Sequence, residues 1–445
     1  MATLRKDEIV ERQDSGVSEP RVGISGRPLP SARLVSYKLH PEKNVPDRRL
    51  SHITMAFGQF LDHDIAFVPT NTLPPLETYL GVQNGFSNGT VRMDIEVPSD
   101  DPFYSQFKNT SLFFLRSLPC CCCYLGPRQQ SDSRTPFIDS SQIYGIKKDI
   151  TDSLRTFTGG QLKVQEVDGS ILLPPSPDPD NDTCSDPEND LICFKSGDFR
   201  VNQNAGLVSL HTVSLREHNS IASKLAKINP HWNDETLFQV ARKIVAARFQ
   251  HVVFFEWLPW IVGPKAMSEY RLWPQKSGYT EYNAQVDPTM INEFAAAAFR
   301  FGHSNVFGRF DLIGATGRKE GAIILKDTFF RNFVFYNKGV EDAALRGFMK
   351  QAMQTTDRYG DKAVTNYLFR DPESPNGNDL FAVDMQRGRD HGIRPYADYV
   401  QLCRNITLSC FDDLHRYKLM PKYIAKIYSQ IYECVFSFFQ GRMRS

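Results

Sequence analysis

No charge of either sign dominates this chain: 52 Lys and Arg residues stand against 51 Asp and Glu among 445 residues. Without a net field, no nucleic-acid partner or anionic lipid surface is expected, and a charged ligand must be held by local groups. No stretch is long and apolar enough to span a bilayer. The first thirty residues, opening Met1-Ala2-Thr3-Leu4-Arg5-Lys6-Asp7, contain no apolar run of the kind a signal peptide needs. The cysteines lack zinc-ribbon spacing, which argues against a structural metal cluster. Strand-type alternation is sparse, and no internal repeat or clear linker stands out. What remains is a mainly α chain with long loops and little strand, long enough to bury a deep site.

Nine cysteines are present. Cys120 to Cys123 are consecutive, Cys184 and Cys193 bracket an acidic loop, Cys403 and Cys410 bracket a short one, and Cys434 stands alone. Two local disulfides are expected, with at least one thiol left over or intermolecular. Asn-x-Ser/Thr sequons occur at Asn88, Asn109, Asn181 and Asn405. Together with the paired cysteines they favour an oxidising, glycosylating route. The expectation is therefore a secreted protein whose true start lies outside this chain.

Prolines at 20, 28, 30, 41 and 46 suit an extended arm over residues 1–47 in place of a packed helix. Residues 48–445 then form the main domain. Helical apolar spacing predicts segments over 49–65, 207–228, 234–256 and 288–303, the third opened by Asp234 as N-cap and closed before Pro259. A proline-rich acidic loop occupies 171–190.

In Gly58-Gln59-Phe60-Leu61-Asp62-His63-Asp64, helical spacing puts Gln59, Asp62 and His63 on one face. On these residues alone, a half-exposed polar helix end and a functional face read equally well. A bare metal site at Asp62, His63 and Asp64 is a weaker third reading, since adjacent residues do not converge on one ion.

The segment Phe57 to Ile65 resembles the distal helix of the animal haem peroxidases. Further segments follow in that family's order. Thr135-Pro136-Phe137-Ile138-Asp139-Ser140-Ser141 resembles its calcium loop, and Gly197-Asp198-Phe199-Arg200-Val201-Asn202-Gln203 resembles the segment bearing the distal arginine. Phe299-Arg300-Phe301-Gly302-His303 resembles the proximal helix, and Asp384-Met385-Gln386-Arg387-Gly388-Arg389-Asp390-His391-Gly392 is similar to a family hallmark. The likeness is greatest to the invertebrate secreted branch. It implies a helical peroxidase domain with haem b and calcium as cofactors.

The roles it implies suit the residue types. His63 would be the base that takes and returns a proton, since neutral imidazole does both near neutral pH. Arg200 would stabilise charge on the departing oxygen and Gln59 would order water. His303 would ligate the haem iron, with Asp384 accepting its other N–H. Arg300 would pair with a haem propionate, assisted by Arg387. Asp64, Thr135, the Phe137 carbonyl, Asp139 and Ser141 would hold calcium. Asp62 would form one ester to haem. Gln203 stands where relatives carry a second esterifying carboxylate, and Asn204 excludes a sulfonium link. Both ends look short beside the family.

The implied function is reduction of hydrogen peroxide with oxidation of phenolic, tyrosyl, halide or pseudohalide donors through a ferryl state, in the response to oxidative stress. Extracellular matrix is a further expected contact. The alternative is a secreted adhesion or matrix protein with a decayed peroxidase domain. The intact Gln59, His63, Arg200 and His303 set weighs against it, as does the lack of an Arg-Gly-Asp or Lys-Gly-Asp tripeptide.

Overall fold

The computed structural model describes residues 28–70, 92–120, 129–180, 182, 184–278 and 282–431. Residues 1–27 of the expected arm, Cys121 to Cys123, Cys434, Asn88 and Asn181 lie outside them. Helices dominate, and sheet among the described residues is confined to two-stranded antiparallel ribbons.

Residues 32–39 depart from the extended reading. They form helix α1, Ala32–Leu39, opened by the Ser31 side chain, which accepts from the backbone N–H groups of Arg33 and Leu34. The prolines flank this segment and do not interrupt it, and Ala32, Val35 and Leu39 fall on one buried face. Arg33 is buried with them. Its Nε lies 2.7 Å from Asp101 and its Nη1 2.6 Å from Asp379, so the helix is pinned by paired charges.

Strand β1, Pro46–Ser51, takes the first residues of the expected 49–65 helix, and helix α2 runs over His52–Ile65. Helix α3, Ala205–Ile228, is capped by Asn204, whose side chain accepts from the Leu207 N–H. Helix α4, Asp234–His251, is capped by Asn233 and not by Asp234. The Asp234 carboxylate instead pairs with Arg155, 2.7 Å away, and accepts the Gly160 N–H. Pro259 does not end the helix. A π-helical turn, Val252–Trp257, leads into α5, Leu258–Glu269, where Pro259 sits in the first turn and needs no N–H partner. The Trp257 ring lies 3.0 Å from where a Cβ on Gly58 would stand, and its indole N–H donates to the Thr54 carbonyl at 2.9 Å.

The expected 288–303 helix is broken. Helix α6 covers only Asn292–Ala296, Ala297 leaves helical geometry (φ −140°, ψ −65°), and a 3-10 turn, Ala298–Asn305, follows. The break is set by tertiary contacts: Phe294 and Phe299 stack at 4.6 Å, and Arg300 and His303 are both held by a carboxylate from another helix. Strands β2, Arg309–Ile313, and β3, Lys319–Ile324, make a hairpin beside α7, Val340–Lys350. Strand β4, Ala352–Gln354, pairs with β1. Helix α8, Leu380–Asp390, capped by Asp379, packs on α1. The main core gathers Phe60, Leu207, Phe238, Phe249, Trp257 and Phe348 around α2, α3 and α4.

Of the two expected disulfides, Cys184–Cys193 is formed. Cys403 and Cys410 remain exposed thiols, the first in the last turn of one short helix and the second capping the next. Asn405 is exposed, whereas Asn109 is half-buried and bonds Asn376 at 3.2 Å.

Three buried histidines are held neutral by burial: His52, between Phe310 and Phe348, is pushed down to about 3, His211 to about 3, and His218 to about 4. The unfolded chain binds protons at these rings near the ordinary histidine value while the folded chain does not. Their contribution is therefore complete above about pH 6.5 and is lost as pH falls toward 4 and below. Melting temperature measured against pH should drop across that interval, and His52→Phe should flatten the drop. A profile level from neutrality to pH 4 would contradict this.

Candidate functional site

The polar end of α2 places Gln59, Asp62 and His63 together, as helical spacing requires. His63 is 3% exposed. Burial, reinforced by the Arg200 charge, holds its pKa well below the usual histidine range, so the imidazole is neutral. Its Nδ1 has no partner among the described residues. Gln59 is held at both ends of its amide, by Gln203 at 3.2 Å and Asn204 at 2.9 Å.

Arg200 comes from the short turn before α3. Its Nε and Nη2 donate to the two oxygens of Asp198 at 2.9 and 2.7 Å, and its remaining donors reach the carbonyls of Ala66 and His63 at 3.2 and 3.3 Å. Its Nη1 stands 4.0 Å from Asp62, and the Phe67 ring lies 4.8 Å from the guanidinium carbon. Asp198 also pairs with Arg134 at 2.6 Å. Burial alone would raise the Asp198 carboxyl, but Arg200 outweighs it, aided by Arg134, and the group stays ionised. The role of Asp198 was not read from sequence. The only signal was its place two residues before Arg200.

Elsewhere in the chain, the 3-10 turn sets Arg300 and His303 on one edge, since residues three apart eclipse in that geometry. Asp384 on α8 receives both: His303 Nδ1 at 2.5 Å and Arg300 Nη1 at 2.7 Å. Burial works against ionisation of Asp384, and the His303 and Arg300 partners overcome it. Arg300, expected at a haem propionate, has its guanidinium against Asp384 and the Ala295 carbonyl. Arg387 is likewise engaged by protein, through Leu115, Ser117 and Asp390, and burial pushes its pKa down to about 10.

Asp62 links the two sides. Burial raises its pKa, while Arg200, Arg300 and His303 all pull it down, so its carboxyl senses both groups at once. The Asp62 and His303 side chains keep 34% and 28% exposure. With Nδ1 committed to Asp384, the other ring nitrogen of His303 is free to offer a lone pair. An imidazole with one nitrogen committed to a carboxylate is a donor of the kind that fits a haem iron.

A second cluster lies at the end of α2. The Asp64 carboxylate accepts from the Ser140 and Ser141 N–H groups at 3.0 and 2.6 Å and from the Ser141 hydroxyl at 2.7 Å. The Asp139 carboxylate takes the Thr135 hydroxyl at 3.0 Å, and the Phe137 carbonyl lies 3.3 Å from that hydroxyl. Burial and the nearby Asp139 charge push the Asp64 carboxyl up to about 7. Two crowded carboxylates among hydroxyl and carbonyl oxygens are the donor set a hard cation prefers.

The family model for animal haem peroxidases matches residues 8–437. The chain belongs to the animal haem peroxidase family. Membership implies haem as the cofactor. Among curated relatives, a peroxidase of Drosophila melanogaster is 36% identical over 404 residues, covering 87% of this chain and 58% of that protein. A chorion peroxidase of the same fly is 36% identical over 433 residues, covering 94% and 52%. This haem peroxidase chain thus spans about half the length of the curated relatives it matches. Among solved structures, peroxidase A of Dictyostelium discoideum superposes with a TM-score of 0.75 at 25% identity, covering 96% of this chain and 80% of that one. A fatty acid α-dioxygenase of Arabidopsis thaliana, with a TM-score of 0.70 at 18% identity over 95% and 66% of the two chains, shares the fold. No helix among the described residues is long and apolar enough to cross a membrane.

Because Asp198 is the shared, fully buried partner of Arg200 and Arg134, Asp198→Asn should leave two guanidinium groups under-compensated. A loss of about 3 kcal/mol in urea unfolding is expected. An unchanged midpoint and slope would show that the pairing contributes nothing.

Proposed function

We propose that this chain is a haem peroxidase that reduces hydrogen peroxide and oxidises phenolic, tyrosyl, halide or pseudohalide donors, in the response to oxidative stress. The observation that carries the proposal is the neutral, buried His63 beside a guanidinium immobilised by Asp198, in a chain that also fixes His303 through Asp384. Haem, when bound, supplies the iron and the redox equivalents. His63 takes the proton from the nearer peroxide oxygen and returns it to the departing one as the O–O bond breaks. Arg200 stabilises negative charge on the departing oxygen and cannot be neutralised at working pH. His303 would hold the iron, and the Asp384 carboxylate, which accepts its N–H, would increase its donor strength.

Asp62 supports one ester link to haem, its carboxyl lying between the two sides. Gln203 offers an amide there, and that amide is already bonded to Gln59. Calcium at Asp64, Thr135, Phe137, Asp139 and Ser141 would brace the end of α2 beside His63. The Cys184–Cys193 disulfide and the exposed Asn405 sequon support secretion, and extracellular matrix contact remains part of the proposal.

His303→Ala should abolish stable haem retention, whereas His63→Ala should keep haem and slow peroxide cleavage by about a hundredfold or more, read by spectra and stopped flow. Equal haem loss in both variants would refute the assignment. Metal analysis of active protein should find one calcium per chain, and Asp139→Ala should impair folding more than donor choice. Active protein free of calcium would remove that part.

A further inference from the structure

Gln203 and Asn204, read from sequence only as residues that rule out covalent links to haem, make contacts of their own. Asn204 caps α3, its Oδ1 accepting the Leu207 N–H at 3.2 Å. A backbone N–H can only donate, so the Asn204 atom facing it is the oxygen, and Nδ2 is the donor that reaches Gln59 Oε1 at 2.9 Å. Gln59 Nε2 is then the donor to Gln203 Oε1 at 3.2 Å. One backbone group at the start of α3 thereby dictates the direction of a row of three amides. The row is possible because residue 206 is glycine. A Cβ there would stand 3.1 Å from the Ala56 Cβ and 3.2 Å from Asn204 Oδ1, so the bare backbone lets α3 begin close against α2.

We propose that Asn204 is a positioning residue for Gln59: as the cap of α3 it fixes which end of the Gln59 amide is carbonyl and which is N–H, and so what Gln59 presents one helical turn from His63. The catalytic consequence rests on the peroxidase reading, whereas the bond itself does not. A free glutamine amide can rotate to offer either an acceptor or a donor at a given point. Here Oε1 is drawn to Asn204 and Nε2 to Gln203, and the choice is made before any ligand arrives.

Asn204→Ser separates the two duties of the residue. It keeps an acceptor for the Leu207 N–H but is too short to reach Gln59. Asn204→Asp also keeps the cap but turns the donor into an acceptor, which should draw Gln59 Nε2 round to position 204. Thermal melts of wild type, Asn204→Ser, Gln59→Ala and the double variant should be non-additive. In haem-loaded protein, Asn204→Ser should lower kcat/KM for peroxide about fivefold, equivalent to about 1 kcal/mol for one net hydrogen bond. It should have no further effect once Gln59 is Ala, and Asn204→Asp should lower kcat/KM more than Asn204→Ser. Additive melts would overturn the proposal, as would an undiminished effect of Asn204→Ser in the Gln59→Ala background. A wild type that takes up no haem would remove the peroxidase reading, and the melting cycle alone would then decide the Asn204–Gln59 bond.

Discussion

A polar helix end, with His63 and Asp64 buried and Gln59 and Asp62 partly so, is the constraint on which the rest depends. Over six residues α2 carries Gln59, Asp62, His63 and Asp64, and each must be satisfied or held neutral once water is excluded. Gln59 is satisfied by two amides from the start of α3, and Asp64 by the Ser140–Ser141 backbone and hydroxyl. His63 is held neutral by burial. Each solution comes from a different segment, so the loop at 135–141, the turn at 198–204 and the first turn of α3 are all tied to one helix.

The two clusters share a design in which a carboxylate fixes a nitrogen group. Asp198 fixes Arg200, and Asp384 fixes His303. Both carboxylates stay ionised against the cost of burial through their partners, Arg200 with Arg134 in one case and His303 with Arg300 in the other. Arg300 therefore belongs to the electrostatics of the His303–Asp384 pair. Asp62 lies within electrostatic reach of both clusters, through Arg200 on one hand and Arg300 with His303 on the other.

Much of this was legible in the sequence because helical spacing is local. Residues 59, 62 and 63 share a face in any helix, and the ordered motifs placed Arg200, His303 and Asp384 in one site before any coordinates. What could not be read depended on tertiary approach. The pairing of Arg300 with Asp384 joins residues 84 positions apart, and the amide row from Asn204 to Gln59 spans 145. The 288–303 helix breaks at Ala297 because its two ends are held by different partners, which no periodicity reveals. Flanking prolines hid α1, whose stability comes from Arg33 meeting Asp101 and Asp379. Cysteine spacing alone could not separate the bonded Cys184–Cys193 pair from the exposed thiols at 403 and 410.

The central claim is that His303 and the His63 face enclose a haem that reacts with peroxide. An absorption spectrum of the purified wild-type protein, before and after one equivalent of hydrogen peroxide, tests it most directly. The account predicts a Soret band that shifts on peroxide addition and returns when a phenolic donor is supplied. Protein that takes up no haem, or whose Soret band ignores peroxide, would contradict it.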